Sequence, residues 1–165
     1  MRNLQYSTLP IDLHKPTGPR TDLSSFQLTT INTVFTSYGV DTPTLTPAVY
    51  NYSATGILQG ATDFLEVLAW GYDCHGVGYR VSYSSFTALT NTLASIDILS
   101  RTNKSPDAST LKSVQNALVA YGDANITALA QAIGPALQDD ARDGMPPIRQ
   151  CDAYCMSNQD LLGLL

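Results

Sequence analysis

The chain has 165 residues, 44% of them apolar and only 14% charged, with a net charge of −5. That length suits one domain with a substantial core. The acidic balance disfavours a free-standing nucleic-acid binder, because phosphate affinity comes from clustered Lys and Arg. Thr and Ser supply much of the surface, 18 and 14 residues respectively.

The charge is uneven: residues 1–20 carry +2, from Arg2, Lys15 and Arg20 against Asp12, and the rest carry −7. This leading stretch, "MRNLQYSTLPIDLHKPTGPR", holds three prolines and no helical period. It is expected to be an extended arm (1–20), since proline removes a backbone donor and restrains the residue before it. It lacks the apolar segment of a signal peptide. No apolar run approaches the roughly 18 residues of a membrane-spanning helix.

The remainder, 21–165, is expected to be mainly α: a bundle of five to six helices. Leu23, Phe26, Ile31, Val34, Phe35 and Tyr38 fall at three- and four-residue steps, and Gly39 supplies a helix stop. A second helix is expected from Thr46 as N-cap, with Pro47 at the first helical position, to about Trp70. Within it Gly56 and Gly60 lie four apart, a spacing that admits another backbone closely. "GYDCHGVGYRVSY" breaks the period and predicts a short strand or β-hairpin near 72–83. A third helix is expected over about Ser84–Arg101. Ser105 and Pro106 open a fourth, which ends at Gly122, and Asp123 caps a fifth, which is bent at Gly134-Pro135. "RQCDAYCMSNQDLLGLL" predicts a short last helix. Two Tyr-Gly pairs, Tyr38-Gly39 and Tyr121-Gly122, are both expected to terminate helices.

Chemistry-bearing motifs are sparse. "DDARD" places Asp139, Asp140 and Asp143 at Mg²⁺-binding spacing, but no second such motif follows, and no metal or cofactor is expected. "YDCHG" offers Cys74 beside His75, yet the other histidine, His14, lies in the arm, so no thiol–imidazole pair is expected. A zinc set of Cys74, His75, Cys151 and Cys155 is weighed and set aside. Cys151 and Cys155 would stand one turn apart on a helix, so a disulfide is expected from Cys74 to one of them, or else three thiols. The sequons at Asn51, Asn103 and Asn125 are about what chance gives. The expectation is a non-enzyme.

An extended arm, a weakly charged body and nine tyrosines favour self-association, through Gly56, Gly60, Tyr38 and Tyr121. The arm and the segments "INTVFTSYGVDTP" and "NALVAYGDANITALAQ" resemble the major coat proteins of rod-shaped and filamentous archaeal viruses. That resemblance implies a structural protein: a self-assembling, all-α subunit of a helical virion coat or extracellular filament. It implies copies of the chain as partners, with nucleic acid held by Arg2, Lys15 and Arg20. The alternative is a secreted or cell-surface helical-bundle module that binds an apolar ligand or wall component. Both place the chain in a virion or outside the cell, with a cytoplasmic location left open by the sequence.

Overall fold

A computed structural model describes residues 1–164 and corrects the fold class. The chain is built on seven consecutive antiparallel strands in one sheet: β1 Arg2–Ser7, β2 Arg20–Gln27, β3 Val34–Pro43, β4 Val49–Ala54, β5 Thr62–Tyr72, β6 Gly78–Ser84 and β7 Ser95–Ser100, each paired with the next. The sheet curls into a half-barrel. Helices come only afterwards: α1 Ala108–Ala120, α2 Ala124–Ala132 and the short α3 Ala153–Met156. A 3-10 turn at Gly56–Leu58 links β4 to β5, and another at Gln159–Leu164 follows α3.

The helical reading of 21–101 fails for a definite reason. Apolar side chains are buried on both faces of this sheet, so they occupy both parities of a strand and imitate helical spacing. Leu23 and Phe26, both buried, point to opposite faces of β2. The abundance of Thr, Ser, Tyr and Val decides for strands, where β-branched and aromatic side chains fit the pleat. Thr46-Pro47, read as a helix start, is a turn. Val49 N–H donates to Thr46 O at 3.3 Å and Ala48 has φ +63°, as a type II turn requires.

The two Tyr-Gly pairs do different work. Gly122 ends α1 with φ +85°. Gly39 sits inside β3, where the Tyr52 ring lies over it and a Cβ would collide. The hairpin expected near 72–83 belongs to the longer β5–β6 pair, whose turn is Asp73–Val77.

The arm is not free. Residues 2–7 are a strand of the sheet, and residues 8–19 loop back to β2, with Thr21 N–H on Leu9 O at 2.8 Å. The outer edge of β1 is covered by its own chain: Asn3 N–H donates to Leu137 O at 2.8 Å. Arg142 reaches Asn3 O at 3.1 Å and Ser25 Oγ at 3.1 Å. Covering an edge in this way removes a template for pairing with other chains.

The apolar core lies on the convex face. Val81, fully buried, meets Val114 and Leu118 of α1 and Ala130 of α2, with Ile96, Ile98 and Ile126 packed around them. Both helices start at aspartates: Asp107 caps α1 and Asp123 caps α2, accepting from Asn125 and Ile126 N–H at 2.9 and 3.0 Å. Such a cap satisfies donors that a helix leaves free.

β3 outruns β4, so the stretch before Gly39 has one unpaired edge. Side chains of the C-terminal segment fill it. Asn158, fully buried, accepts from Tyr38 N–H at 2.7 Å and donates to Tyr38 O and Thr55 O at 2.9 and 2.8 Å. Asp160 accepts from Thr36 N–H and Oγ1, both at 2.6 Å.

Candidate functional site

Strand register decides which side chains share the concave face, because paired residues in an antiparallel sheet point the same way. One row runs Arg20–Asp41–Tyr52–Asp63 across β2 to β5. Asp22, opposite Gly39, is the diagonal neighbour of Asp41. From the other side of the curl come Arg80, opposite Trp70, and Ser82, opposite Asp97. Tyr6 joins them from β1. In a flat sheet, six spacings of about 4.8 Å would separate Tyr6 from Asp97. Here the Asp97 charge acts on the Tyr6 hydroxyl, and the Arg80 charge acts on Asp22 and Asp41. The curl brings strands from opposite ends of the sheet face to face.

The interior they form is acidic. Burial is the main cause that raises the Asp41 carboxyl to about 7, followed by the Asp22 charge. Burial likewise raises Asp22 to about 6, against the opposing pull of Arg80. Asp63 and Asp97 are raised too, again mainly by burial, although each accepts one hydroxyl: Thr87 Oγ1 at 2.8 Å and Ser95 Oγ at 3.3 Å. Tyr6 and Tyr52 are both pushed above the ordinary phenol range, by burial first and then by nearby carboxylates. Asp41 is fully buried and neither of its oxygens has a donor. Its available partner is the Asp22 carboxyl, another acceptor, so their contact requires one shared proton. This arrangement is costly for a folded chain, and costs of this kind concentrate at functional sites.

Arg80 is the inner cation of this set. Among the described residues it forms no direct ion pair; the ion pairs there are Arg2–Asp139 and Lys15–Asp12. It therefore acts across a gap, lowering the aspartates without touching them. Arg80→Met is expected to raise the titration midpoint of the Asp22–Asp41 pair by roughly one unit, measured by carboxyl-carbon NMR on labelled protein. An unchanged midpoint would place Arg80 outside the set.

An open cleft of about 460 Å³ lies on the helices, lined by residues such as Lys112, Gln115 and Gln131. None of its polar side chains is buried, and we place the site on the concave face.

No family model matches the chain, and no solved structure matches it. It is 30% identical over 150 residues to botcinic acid biosynthesis cluster B protein 12 of Botryotinia fuckeliana (strain B05.10), an alignment covering 87% of this chain and 67% of that protein. The chain belongs to the family of the cluster B protein 12. Membership, together with the sheet, corrects the expectation of a virion coat or filament subunit. It equally removes the capsid and all-α description. The alternative of a helical-bundle module falls with the bundle.

In this family member the residues expected to bind nucleic acid stand apart. Arg2 is buried, bonded to Leu28 O at 2.9 Å and paired with Asp139. Lys15 is on the β1–β2 loop, and Arg20 stacks over the Tyr50 ring at 5.2 Å. Nor do the residues expected at a self-association face share one. Gly56 and Gly60 are loop residues with φ +58° and +101°, Gly56 against Ser157. Tyr38 is buried in β3 and Tyr121 is exposed at the end of α1.

Cys151 and Cys155 are bonded to each other, with Cα atoms 5.2 Å apart, and Cys74 is an exposed thiol. The objection to that pair assumed both on one helix. Asp152 is instead the N-cap of α3, so Cys151 lies outside the helix and folds back. Asp139 is held below the usual carboxylate range by Asn3 and then Arg2. It fastens a loop to β1 instead of chelating, and no three His, Cys, Asp or Glu side chains among the described residues are grouped to hold a metal ion. No helix among the described residues is long and apolar enough to cross a membrane.

The concave set escaped the sequence reading. Its signal was present: "TDL", "VDT", "TDF" and "IDI" each set one aspartate, Asp22, Asp41, Asp63 and Asp97, amid apolar or β-branched neighbours. Aspartate is depleted in strands, so four such triplets mark an unusual inner face.

Proposed function

We propose that the chain is a small-molecule-binding protein of a biosynthetic pathway, holding its ligand on the concave face of the curled sheet. The observation that carries this reading is the polar interior. A half-barrel of this size ordinarily fills its inside with apolar side chains or holds one small ligand there. This one turns Asp22, Asp41, Asp97 and Arg80 inward. The relative's name, which places that protein in a biosynthesis cluster, supports the same reading. The Cys151–Cys155 bond favours an oxidising compartment, outside the cytosol.

The role proposed is binding without turnover. Both histidines are exposed, His14 on the β1–β2 loop and His75 in the β5–β6 turn. A second reading, acid–base catalysis, is favoured by one observation: the Asp22–Asp41 pair holds a proton near neutral pH, where a general acid works best.

The test is genetic. Deleting the gene in its own organism and profiling small products by liquid chromatography and mass spectrometry is expected to deplete at least one product severalfold. An unchanged profile would defeat the proposal. Complementation with Asp41→Asn separates the two readings. Product restored in proportion to the ligand affinity that the variant retains supports binding, and product absent despite a folded, ligand-competent protein supports catalysis.

A further inference from the structure

The concave face also carries information about what it holds. Ser82 is 2% exposed and its Oγ has no hydrogen-bond partner; Asp41 is fully buried with no donor to either oxygen; Arg80 Nε, on the same face, is likewise unpartnered. Buried polar groups are seldom left in this state. What the set lacks is definite: a donor for the Asp41 oxygen that Asp22 does not serve, an acceptor for Arg80 Nε, and a group of either kind for Ser82 Oγ. A hydroxyl is donor and acceptor at once. Several hydroxyls on one small frame meet all three demands, whereas a protonated amine offers no acceptor and a carboxylate would face four aspartates.

A second feature stands beside them. Trp70 is directly opposite Arg80 on β5 and β6, on the same face, and is 73% exposed; Tyr72, two residues on, is 69% exposed. Two large aromatic rings open to solvent on the same face as these polar groups have an apolar face to offer. An aromatic face suits the C–H face of a ring whose hydroxyls point elsewhere.

We propose that the concave site takes a polyhydroxylated small molecule, its hydroxyls on Asp41, Ser82 and Arg80 and its C–H face against Trp70. The inference rests on the small-molecule reading above and adds the ligand class. Recognition by hydroxyl groups gives a site strong discrimination against the deoxygenated analogue, because that analogue leaves the buried groups unpaired.

The chain contains one tryptophan, so its fluorescence reports on Trp70 alone. Titration with myo-inositol, D-glucose and methyl β-D-glucoside is expected to give a saturable change in emission with at least one of them. Cyclohexanol, which keeps the ring and only one hydroxyl, is expected to bind at least about tenfold more weakly. Asp41→Asn is expected to weaken the hydroxylated probe about tenfold and Ser82→Ala about fivefold. Trp70→Leu, at an exposed position that folding does not depend on, is expected to weaken it by calorimetry. A melting scan at pH 5 confirms that each variant is folded.

No saturable binding of any hydroxylated probe overturns the proposal. So does equal binding of cyclohexanol, or binding that survives Asp41→Asn and Ser82→Ala unchanged. If gene deletion alters the product profile while these probes fail, the ligand class falls and the binding role stands. If the probes bind and the profile is unchanged, the biosynthetic role falls and the site remains.

Discussion

The protein is expected to be more stable at pH 5 than at pH 7.5, by on the order of 2–4 kcal/mol. The reason is the Asp22–Asp41 pair. In the unfolded chain both carboxyls titrate near 3.9, whereas in the fold they are raised to about 6 and about 7, burial being the main cause for each. Between roughly pH 4 and 7 the native state therefore holds more protons than the unfolded state, and stability declines as pH rises through that window. Above it the penalty is constant. Below about pH 4 other groups reverse the trend. Asp139, held low by Asn3 and then Arg2, and Asp107, held low by Ser109 and Thr110 at the start of α1, must then take up protons and release those partners. Urea unfolding at half-unit intervals measures the curve. Asp41→Asn keeps the size, supplies a donor to Asp22 and removes the proton uptake, so it should flatten the curve and raise stability at pH 7.5. A wild-type curve that climbs from pH 5 to 7.5 would mean that the pair does not share a proton.

Asn158→Ala is expected to cost about 3 kcal/mol and to lower the melting temperature by several degrees. Its side chain serves the unpaired edge of β3 as a missing strand would, with one acceptor and two donor contacts in a fully buried position. Truncation strands Tyr38 N–H, Tyr38 O and Thr55 O together. Asn158 also has φ +58°, which asparagine tolerates better than alanine. Asn158→Gly separates the two causes, since it relieves the backbone but loses the bonds. It is expected to lose most of the same stability. A near-wild-type melting temperature for the glycine variant would assign the effect to the backbone.

How much of this was legible can be judged from particular residues. Asp123 reads as a helix cap and acts as one, because a cap is decided within four residues. Gly122 reads as a helix stop and takes positive φ for the same local reason. Gly39 follows an identical Tyr-Gly pair yet lies in a strand, and what fixes it is Tyr52, thirteen positions on and on the next strand. Thr46-Pro47 illustrates a different failure: the same dipeptide opens helices and fills turns, and only the hydrogen bond from Val49 tells them apart. The candidate site was hidden more deeply. Asp22 and Asp97 are 75 positions apart, on the second and last strands, and no local pattern records that the sheet curls until they face one centre.

The sequence alone determined the cap at Asp123 and the stop at Gly122, because each depends on interactions within one turn. Tertiary structure decided the rest: which parity of each strand faces inward, that residues 2–7 join the sheet, that Cys151 folds back on Cys155, and that Asp22, Asp41 and Asp97 gather around Arg80. Those outcomes arise from pairing and curvature across the whole sheet. Their energies come from burial and from charges brought together through space, quantities that spacing along the chain does not carry.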